Sequence, residues 1–290
     1  MGRSGRGRGL AGVIGSAGRT DRLQPTERAT VGDLYEHGQE GWANGAELVY
    51  APLAEALVAS SPVDLEGRLV LDAGAGTGAG SRALIAVGAR PVAVDLAWTM
   101  LAHRRRHRPP AAVADLLHLP LAPRSLDAVL APFVLNHLDR PTAALAGLAA
   151  GVRRGGVVLA STFAEADRPA VKDLVDDVAT RHGFRPPPAY EWLRCAALPL
   201  LGSADAMAAA ARAGGLTEVR TSESAVDTGV RGPADQVAYR LGMPHLSHFL
   251  SSLPPDRRDH LVAEAVAAVA DVDDGRPLAP TVVFLSARVG

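Results

Sequence analysis

Short apolar segments alternate with segments of helical spacing through the middle of this 290-residue sequence. Strands that read as nearly continuous apolar runs are typical of a parallel sheet covered by helices on both faces. The pattern therefore predicts an α/β, doubly wound, Rossmann-like fold. The predicted strands are 68–73, 91–95, 111–114, 126–133 and 156–163, and the helices between them end near Val87 or span 97–107 and 141–152.

Helical patterns dominate the segments on either side of this core. Thr26–Ser61 reads as one helix that Pro62 ends. Beyond the core we predict helices over 169–182 and 203–213 with Ser203 as N-cap, a strand over 218–224, two or three helices within 233–270, and a last strand over 280–288. This organisation predicts a flexible Arg/Gly-rich tail at 1–24 and one domain at 25–290. That domain has a core at about 62–163 and helical inserts at about 164–215 and 230–275.

Composition excludes several other classes of protein. Hydrophobic residues make up 48% and charged residues 21%, which is ordinary for a globular chain, and the formal net charge is -1. We therefore expect no nucleic-acid partner and no membrane partner, and the apolar stretch 10–17 is too short and glycine-rich for a signal peptide. The single cysteine, Cys195, excludes an internal disulfide and a cysteine-based metal site, so no metal and a cytoplasmic location are expected.

The segment that carries most chemical information is Val70-Leu-Asp-Ala-Gly-Ala-Gly-Thr-Gly78. Here a strand turns through glycines into a helix, so the backbone can approach a ligand at the carboxyl ends of the strands. The spacing Gly74-x-Gly76-x-x-Ala79 also fits the dinucleotide fingerprint.

Acidic residues at the strand ends favour a different ligand from NAD. Asp72 lies in the tight turn, where it would repel a diphosphate and attract an ammonium group. Asp95 ends the second strand, where a carboxylate suits ribose hydroxyls, and Asp115 with Leu116 follows the third strand, where they suit adenine. The alternatives are a turn-stabilising acid at Asp72, a helix cap at Asp95 and an exposed loop acid at Asp115.

The ordered set of motifs resembles class I S-adenosylmethionine-dependent methyltransferases of the small-molecule type. Besides the glycine loop and the three acids, the stretches 126–139 and 153–159 resemble the family's fourth strand and its turn into the fifth. The resemblance implies a seven-stranded sheet whose last strand is antiparallel, with S-adenosyl-L-methionine as cofactor. The residues it implies in cofactor binding are Asp72, Gly74, Ala75, Gly76, Gly78, Asp95, Leu96, Asp115, Leu116 and Phe133.

Within that resemblance, Asp72 is expected near the methionine ammonium and Asp95 at the two ribose hydroxyls. Asp115 and Leu116 are expected at the adenine, and Phe133 at the methionine end. His137 is the best candidate for a general base, with a structural histidine as the alternative, and Asn136 lies beside it.

Aromatic residues concentrate in the N-terminal helical region and the inserts, although they form only 4% of the chain. This predicts an apolar lid over a small organic acceptor, with ordinary packing as the alternative. Besides Asn136, the candidate acceptor residues are Tyr35, His37, Trp42, Tyr190, Trp192, Tyr239, Met243 and Phe249.

The other histidines, the basic run and the cysteine are interpreted as structural or solvent-exposed residues without a role in the site. His245 and His248 are interpreted as structural, the run 103–108 as a solvated helix end, and Cys195 as a buried apolar residue.

The predicted function is methyl transfer from S-adenosylmethionine to a small molecule, with a specialised metabolite among the candidates. The sequence does not decide between oxygen, nitrogen and carbon as acceptor atom, nor the oligomeric state. Two alternatives stay open: a fold repurposed for a cyclisation or rearrangement, and a non-catalytic partner subunit.

Overall fold

The computed structural model describes residues 27–290, with side chains from Val31 onward. The tail predicted at 1–24 lies outside the described residues. Seven strands form one sheet in the order β3-β2-β1-β4-β5-β7-β6. The strands are β1 Leu69–Ala73, β2 Arg90–Asp95, β3 Ala111–Val113, β4 Leu126–Pro132, β5 Val152–Phe163, β6 Leu216–Ala225 and β7 Thr281–Val289.

The first five strands pair in parallel, and β7 runs antiparallel to both β5 and β6. The predicted fold and the antiparallel last strand are therefore confirmed. Strand β1 lies inside the sheet between β2 and β4, so the segment that follows it opens at the point where the strand order reverses.

Alternate residues of the central strands enter two separate hydrophobic cores, one on each face of the sheet. On β1, Leu71 packs in one core and Val70 in the other, and on β4 Val129 and Leu130 divide in the same way. This explains why the strands read as continuous apolar runs.

Twelve α-helices flank the sheet within the described residues. They are α1 Glu27–Glu36, α2 Gln39–Gly41, α3 Glu47–Ala59, α4 Ala79–Ala86, α5 Trp98–Ala102, α6 Pro141–Gly151, α7 Ala170–Arg181, α8 Pro188–Trp192, α9 Ala204–Ala213, α10 Gly232–Leu241, α11 Pro244–Ser252 and α12 Pro255–Ala270. Ser203 caps α9 as predicted, since its Oγ accepts a hydrogen bond from the Ala206 amide at 3.2 Å.

The single N-terminal helix predicted over 26–61 is wrong. The chain turns between α1 and α2, and a π-helical turn, Trp42–Ala46, joins α2 to α3. The turn packs closely on α10, because a Cβ on Gly45 would lie 2.1 Å from the Ala238 carbonyl oxygen. This contact between distant segments bends the helix.

Two further details differ from the predictions. The helix predicted over 97–107 ends at Ala102, because the Arg108 side chain folds back and donates to the carbonyls of Met100 and His103. Cys195 is exposed, whereas a buried residue was expected.

The inserts share a core of their own. Valines of α7 pack there against α10 and α12, with Val175, Val237 and Leu261 among its buried members. None of the helices described is both long and apolar enough to span a membrane.

Candidate active site

A cavity of about 140 Å³, here called the loop cavity, lies at the carboxyl ends of β1, β2 and β4. Its walls include seven of the ten residues predicted to bind cofactor: Gly74, Gly76, Asp95, Leu96, Asp115, Leu116 and Phe133. Asp72, Ala75 and Gly78 lie behind these walls, because the turn points their side chains or Cα atoms away from the cavity.

The glycine loop forms a tight cradle above β1. Gly74 has φ +70°, and a Cβ there would lie 2.3 Å from Cγ2 of Val134. Gly76 donates its amide to Oδ2 of Asp95 at 2.8 Å. The loop can take this tight conformation, and leave space for a ligand above it, because Gly74 and Gly76 have no side chains.

Asp95 holds the loop and the next helix together. Its Oδ1 accepts the Ala97 amide at 2.8 Å, at the start of α5. Burial raises the pKa of Asp95 above its usual value. Each carboxylate oxygen has further acceptor capacity, so the helix-cap role and a role toward ribose hydroxyls are compatible.

The third predicted acid, Asp115, is the second residue of the loop after β3. Its Oδ1 accepts the Leu117 amide at 2.9 Å, and its Oδ2 lies 2.9 Å from Nδ1 of His118. These contacts fix the loop so that Leu116, which is buried, lines the cavity.

Asp72 is fully buried beneath the first turn of α4. Its Oδ2 accepts the Ser81 hydroxyl at 2.6 Å, while Oδ1 has no partner among the described residues. Burial raises the pKa of Asp72 to about 6. Because Asp72 does not line the loop cavity, it can act on a positive ligand group only as a charge beneath the wall, as it already acts on Arg108.

The raised pKa of Asp72 predicts a pH-dependent cost to stability. The Asp72 carboxyl binds its proton more tightly in the folded state than in the unfolded state. Protonated Asp72 therefore adds to the free energy of unfolding below about pH 4, and this stabilisation is lost as pH rises through about 6. Asp72→Asn should therefore gain up to about 3 kcal/mol in free energy of unfolding, relative to the wild type, between pH 4 and pH 7.5.

Denaturant unfolding of both proteins across that range measures the difference. Subtracting one curve from the other removes His137, whose lowered pKa acts in the opposite direction. A difference that does not change with pH would show that Asp72 has an ordinary pKa.

Arg108 is a site residue that the sequence did not indicate. Its guanidinium donates to the Gly76 carbonyl inside the glycine loop, and its charge faces Asp72 and Asp95. The run predicted as solvated at 103–108 is exposed only at 104–107, whereas His103 and Arg108 are partly buried, and Arg108 supports the glycine loop. Its position at the end of a run of like residues concealed this role.

Aromatic rings close the other end of the loop cavity. Phe133, at φ +53°, packs edge-on against Tyr50 with ring centroids 5.2 Å apart. Tyr35 from α1 lies above, with its Oη 3.3 Å from Nε2 of His137. Burial lowers the pKa of His137 to about 4 and raises that of Tyr35, so both side chains are neutral at pH 7.

A larger cavity of about 540 Å³, here called the insert cavity, opens between the sheet and the helical inserts. Tyr35, Tyr50 and His137 line both cavities, so the two meet at these residues. The predicted acceptor residues on its walls are Tyr35, Asn136, Tyr190, Tyr239 and Met243.

The structure places four other predicted acceptor residues elsewhere. Trp42 lines the loop cavity instead, while His37 is exposed beside His248. Trp192 is two residues from Tyr190 on α8 and so faces another direction, and Phe249 packs against Phe184.

His245, interpreted as structural from the sequence, also lines the insert cavity. Its ring stacks on that of Tyr190 with centroids 3.6 Å apart. Only the fold brings these residues of α8 and α11 together, so no sequence pattern could have indicated the pair.

Comparison with known proteins agrees with this geometry. Residues 71–160 match a family described as "Methyltransferase domain". A demethylmenaquinone methyltransferase of Thermobifida fusca is 38% identical over 104 residues, which are 33% of this chain and 44% of that protein. A malonyl-[acyl-carrier protein] O-methyltransferase of Yersinia pestis is 36% identical over 101 residues, 34% of this chain and 38% of that protein. The matched part thus spans less than half the length of these curated relatives.

Two solved structures share the fold over most of this chain. A phosphoethanolamine N-methyltransferase of Haemonchus contortus, solved with S-adenosylhomocysteine, has a TM-score of 0.56 at 17% identity and covers 91% of this chain and 60% of its own. The [4+2]-cyclase SpnF has a TM-score of 0.55 at 19% identity, and the match covers 92% of this chain and 98% of SpnF.

The residues of the loop cavity fit the cofactor that the matched family uses. The glycine cradle and the Asp95 carboxylate in the wall suit a ribose, and the buried Asp72 carboxylate beneath the wall places negative charge where an ammonium group would be attracted. The cofactor of such domains is S-adenosylmethionine, and the resemblance inferred from the sequence is confirmed over residues 71–160, which match the methyltransferase domain family.

Proposed function

We propose that the protein transfers a methyl group from S-adenosylmethionine to a hydroxyl oxygen of a small-molecule acceptor held in the insert cavity. The observation that carries the proposal is the junction of the two cavities at Tyr35, Tyr50 and His137. A cofactor in the loop cavity with its methionine end toward Phe133 would present its methyl group at that junction.

The chain's own part in the reaction is mostly positioning. When bound, S-adenosylmethionine supplies a methyl group already activated by its sulfonium charge. Asp95 would hold the ribose, Leu116 the adenine, and the Gly74–Gly78 loop the methionine part. The aromatic wall of Tyr35, Tyr50 and Phe133 excludes water from the junction, which favours in-line attack by the acceptor.

His137 would take the proton that the acceptor hydroxyl loses as its oxygen forms the new bond to carbon. Because burial lowers its pKa to about 4, the imidazole is uncharged at neutral pH. The Tyr35 hydroxyl, now 3.3 Å from Nε2, would give way to the acceptor hydroxyl when that nitrogen takes the proton. An amine acceptor would need no such base, and the name of the O-methyltransferase relative also favours oxygen.

The walls of the insert cavity favour an acceptor that carries little charge and has an aromatic or otherwise planar part. The walls carry as many acidic as basic side chains, namely Glu165, Asp167, Asp173 and Asp176 against Arg168, Lys172, Arg194 and Arg240. Two of the basic groups are paired with acids of the wall: Lys172 lies 3.0 Å from Asp167, and Arg240 forms two hydrogen bonds with Asp176. The rings of Phe163 and of the stacked Tyr190 and His245 supply flat surfaces. The cavity volume suits a molecule of drug-like size.

Binding measurements test the cofactor part of the proposal. Isothermal titration should show one site for S-adenosylmethionine or S-adenosylhomocysteine and no heat with NAD, because Asp72 and Asp95 oppose a diphosphate. Binding of NAD with no response to S-adenosylhomocysteine would contradict it.

The release of S-adenosylhomocysteine separates methyl transfer from the alternatives. Turnover of an acceptor should release one S-adenosylhomocysteine per product. Product without release of S-adenosylhomocysteine would indicate a fold repurposed for another reaction. We consider this alternative because the chain shares its fold with the SpnF cyclase. Cofactor binding without any turnover would favour a non-catalytic subunit.

A further inference from the structure

Two histidines and a glutamate come together on the outer face of the inserts, away from both cavities. His182 follows the last residue of α7, and His260 and Glu264 lie one turn apart on α12. One nitrogen from each imidazole and one carboxylate oxygen all lie within 4.8 Å of one another. None of these residues lines the loop cavity or the insert cavity.

Neighbouring side chains hold the carboxylate in one orientation. Arg181 donates to Oε1 of Glu264 through Nε at 3.0 Å and Nη2 at 2.7 Å. The other oxygen, Oε2, lies 2.8 Å from Nε2 of His182. Hydrogen bonds from His182 and Arg181 keep the pKa of Glu264 below its usual value, so the group is ionised.

This geometry points to a metal site, and we propose that His182, His260 and Glu264 bind one Zn²⁺ ion. Two imidazole nitrogens and one carboxylate oxygen form a donor set that zinc accepts, with a fourth position left for water. Calcium and magnesium prefer sites made mainly of oxygen. Tetrahedral zinc bonds of roughly 2.0–2.2 Å place ligand atoms about 3.4 Å apart, so His182 and Glu264 would separate by about half an ångström. The His260 nitrogen, which lies within 4.8 Å of both, would approach by rotation of its exposed side chain.

The surrounding charges are compatible with a divalent ion. Arg181 stays on Oε1 as an outer partner that orients the ligand, a common arrangement at zinc sites. Arg257, whose Nη2 donates to the His182 carbonyl at 3.2 Å, lines the same cleft, and so does Asp256, whose carboxylate offsets one of the two guanidinium charges.

A zinc ion here would join the end of α7 to the middle of α12. Helix α7 also carries Asp176, which pairs with Arg240 in the wall of the insert cavity. The site would therefore stabilise the inserts as a unit, independently of whether the protein is a methyltransferase.

Titration of the tag-free protein with ZnCl₂ at pH 7.5 tests the proposal. We expect one site by calorimetry, and a rise in melting temperature of roughly 5 °C at a hundredfold excess of zinc over Kd. MgCl₂ should produce neither effect. His260→Ala and Glu264→Gln should each weaken zinc binding at least roughly 10–100-fold, since even loss of an outer partner has that effect.

A matched control variant comes from the other surface histidine pair. His37 and His248 are exposed, with ring centroids 5.8 Å apart, and belong to no such three-residue group within the described part of the chain. His248→Ala should leave zinc binding unchanged. Absence of binding, or binding that survives His260→Ala and disappears with His248→Ala, would overturn the proposal.

Discussion

Asp95→Ala is expected to weaken binding of S-adenosylhomocysteine at least about tenfold while the protein stays folded. In the proposed cofactor site the change would remove two charge-assisted hydrogen bonds to ribose, each worth roughly 1.5–3 kcal/mol. It also frees the Gly76 amide, which now donates to Oδ2 at 2.8 Å, so the glycine loop loses part of its preorganisation. Isothermal titration with S-adenosylhomocysteine measures the change in Kd.

Asp127→Ala provides the matched control for this prediction. Asp127 also accepts a backbone amide, that of Leu69 at 2.7 Å, but it lies at the opposite end of the strands. It should therefore cost similar stability and leave the Kd unchanged. If both variants keep the wild-type Kd, Asp95 serves only to cap α5.

The sheet and the loop cavity could be predicted from the sequence because their signals are local. A strand buried on both faces must be apolar along its length, as Val70 and Leu71 show by entering opposite cores. Parallel strands end on the same edge, so acids such as Asp95 and Asp115 that follow strands had to lie near the glycine loop.

The remaining features depend on contacts between distant segments. The bend before α3 follows from the approach of Gly45 to the Ala238 carbonyl, nearly two hundred positions later in the chain. Arg108 reads as one of several arginines until the fold places it under Gly76. Likewise, Tyr190 lines the insert cavity and Trp192 does not, because packing against other helices, and not the sequence of α8 itself, fixes the orientation of that helix.

His137→Ala is expected to lower kcat by about 10²–10⁴-fold for a hydroxyl acceptor, the usual contribution of a positioned general base. The Kd for S-adenosylhomocysteine should change little, because His137 lies at the junction of the cavities and not beside the ribose-facing Asp95. Release of S-adenosylhomocysteine, followed with a panel of phenols and hydroxynaphthoquinones as acceptors, gives the rates. His37→Ala, a change at an exposed histidine outside both cavities, should keep the wild-type rate.

The pH profile of the wild-type enzyme distinguishes a base from a purely structural histidine. Because burial lowers the pKa of His137 to about 4, its neutral form predominates at every pH well above that value. At saturating S-adenosylmethionine, where the raised pKa of Asp72, about 6, no longer limits cofactor binding, kcat should therefore be level from about pH 6 to 8 and fall as pH approaches 4. No inflection is expected near the usual histidine pKa of about 6.5. His137→Gln should remove the acid limb along with most of the rate. If His137→Gln keeps both the acid limb and the rate, another group or water removes the proton. If the variant instead loses affinity for the cofactor, His137 belongs to the cofactor site.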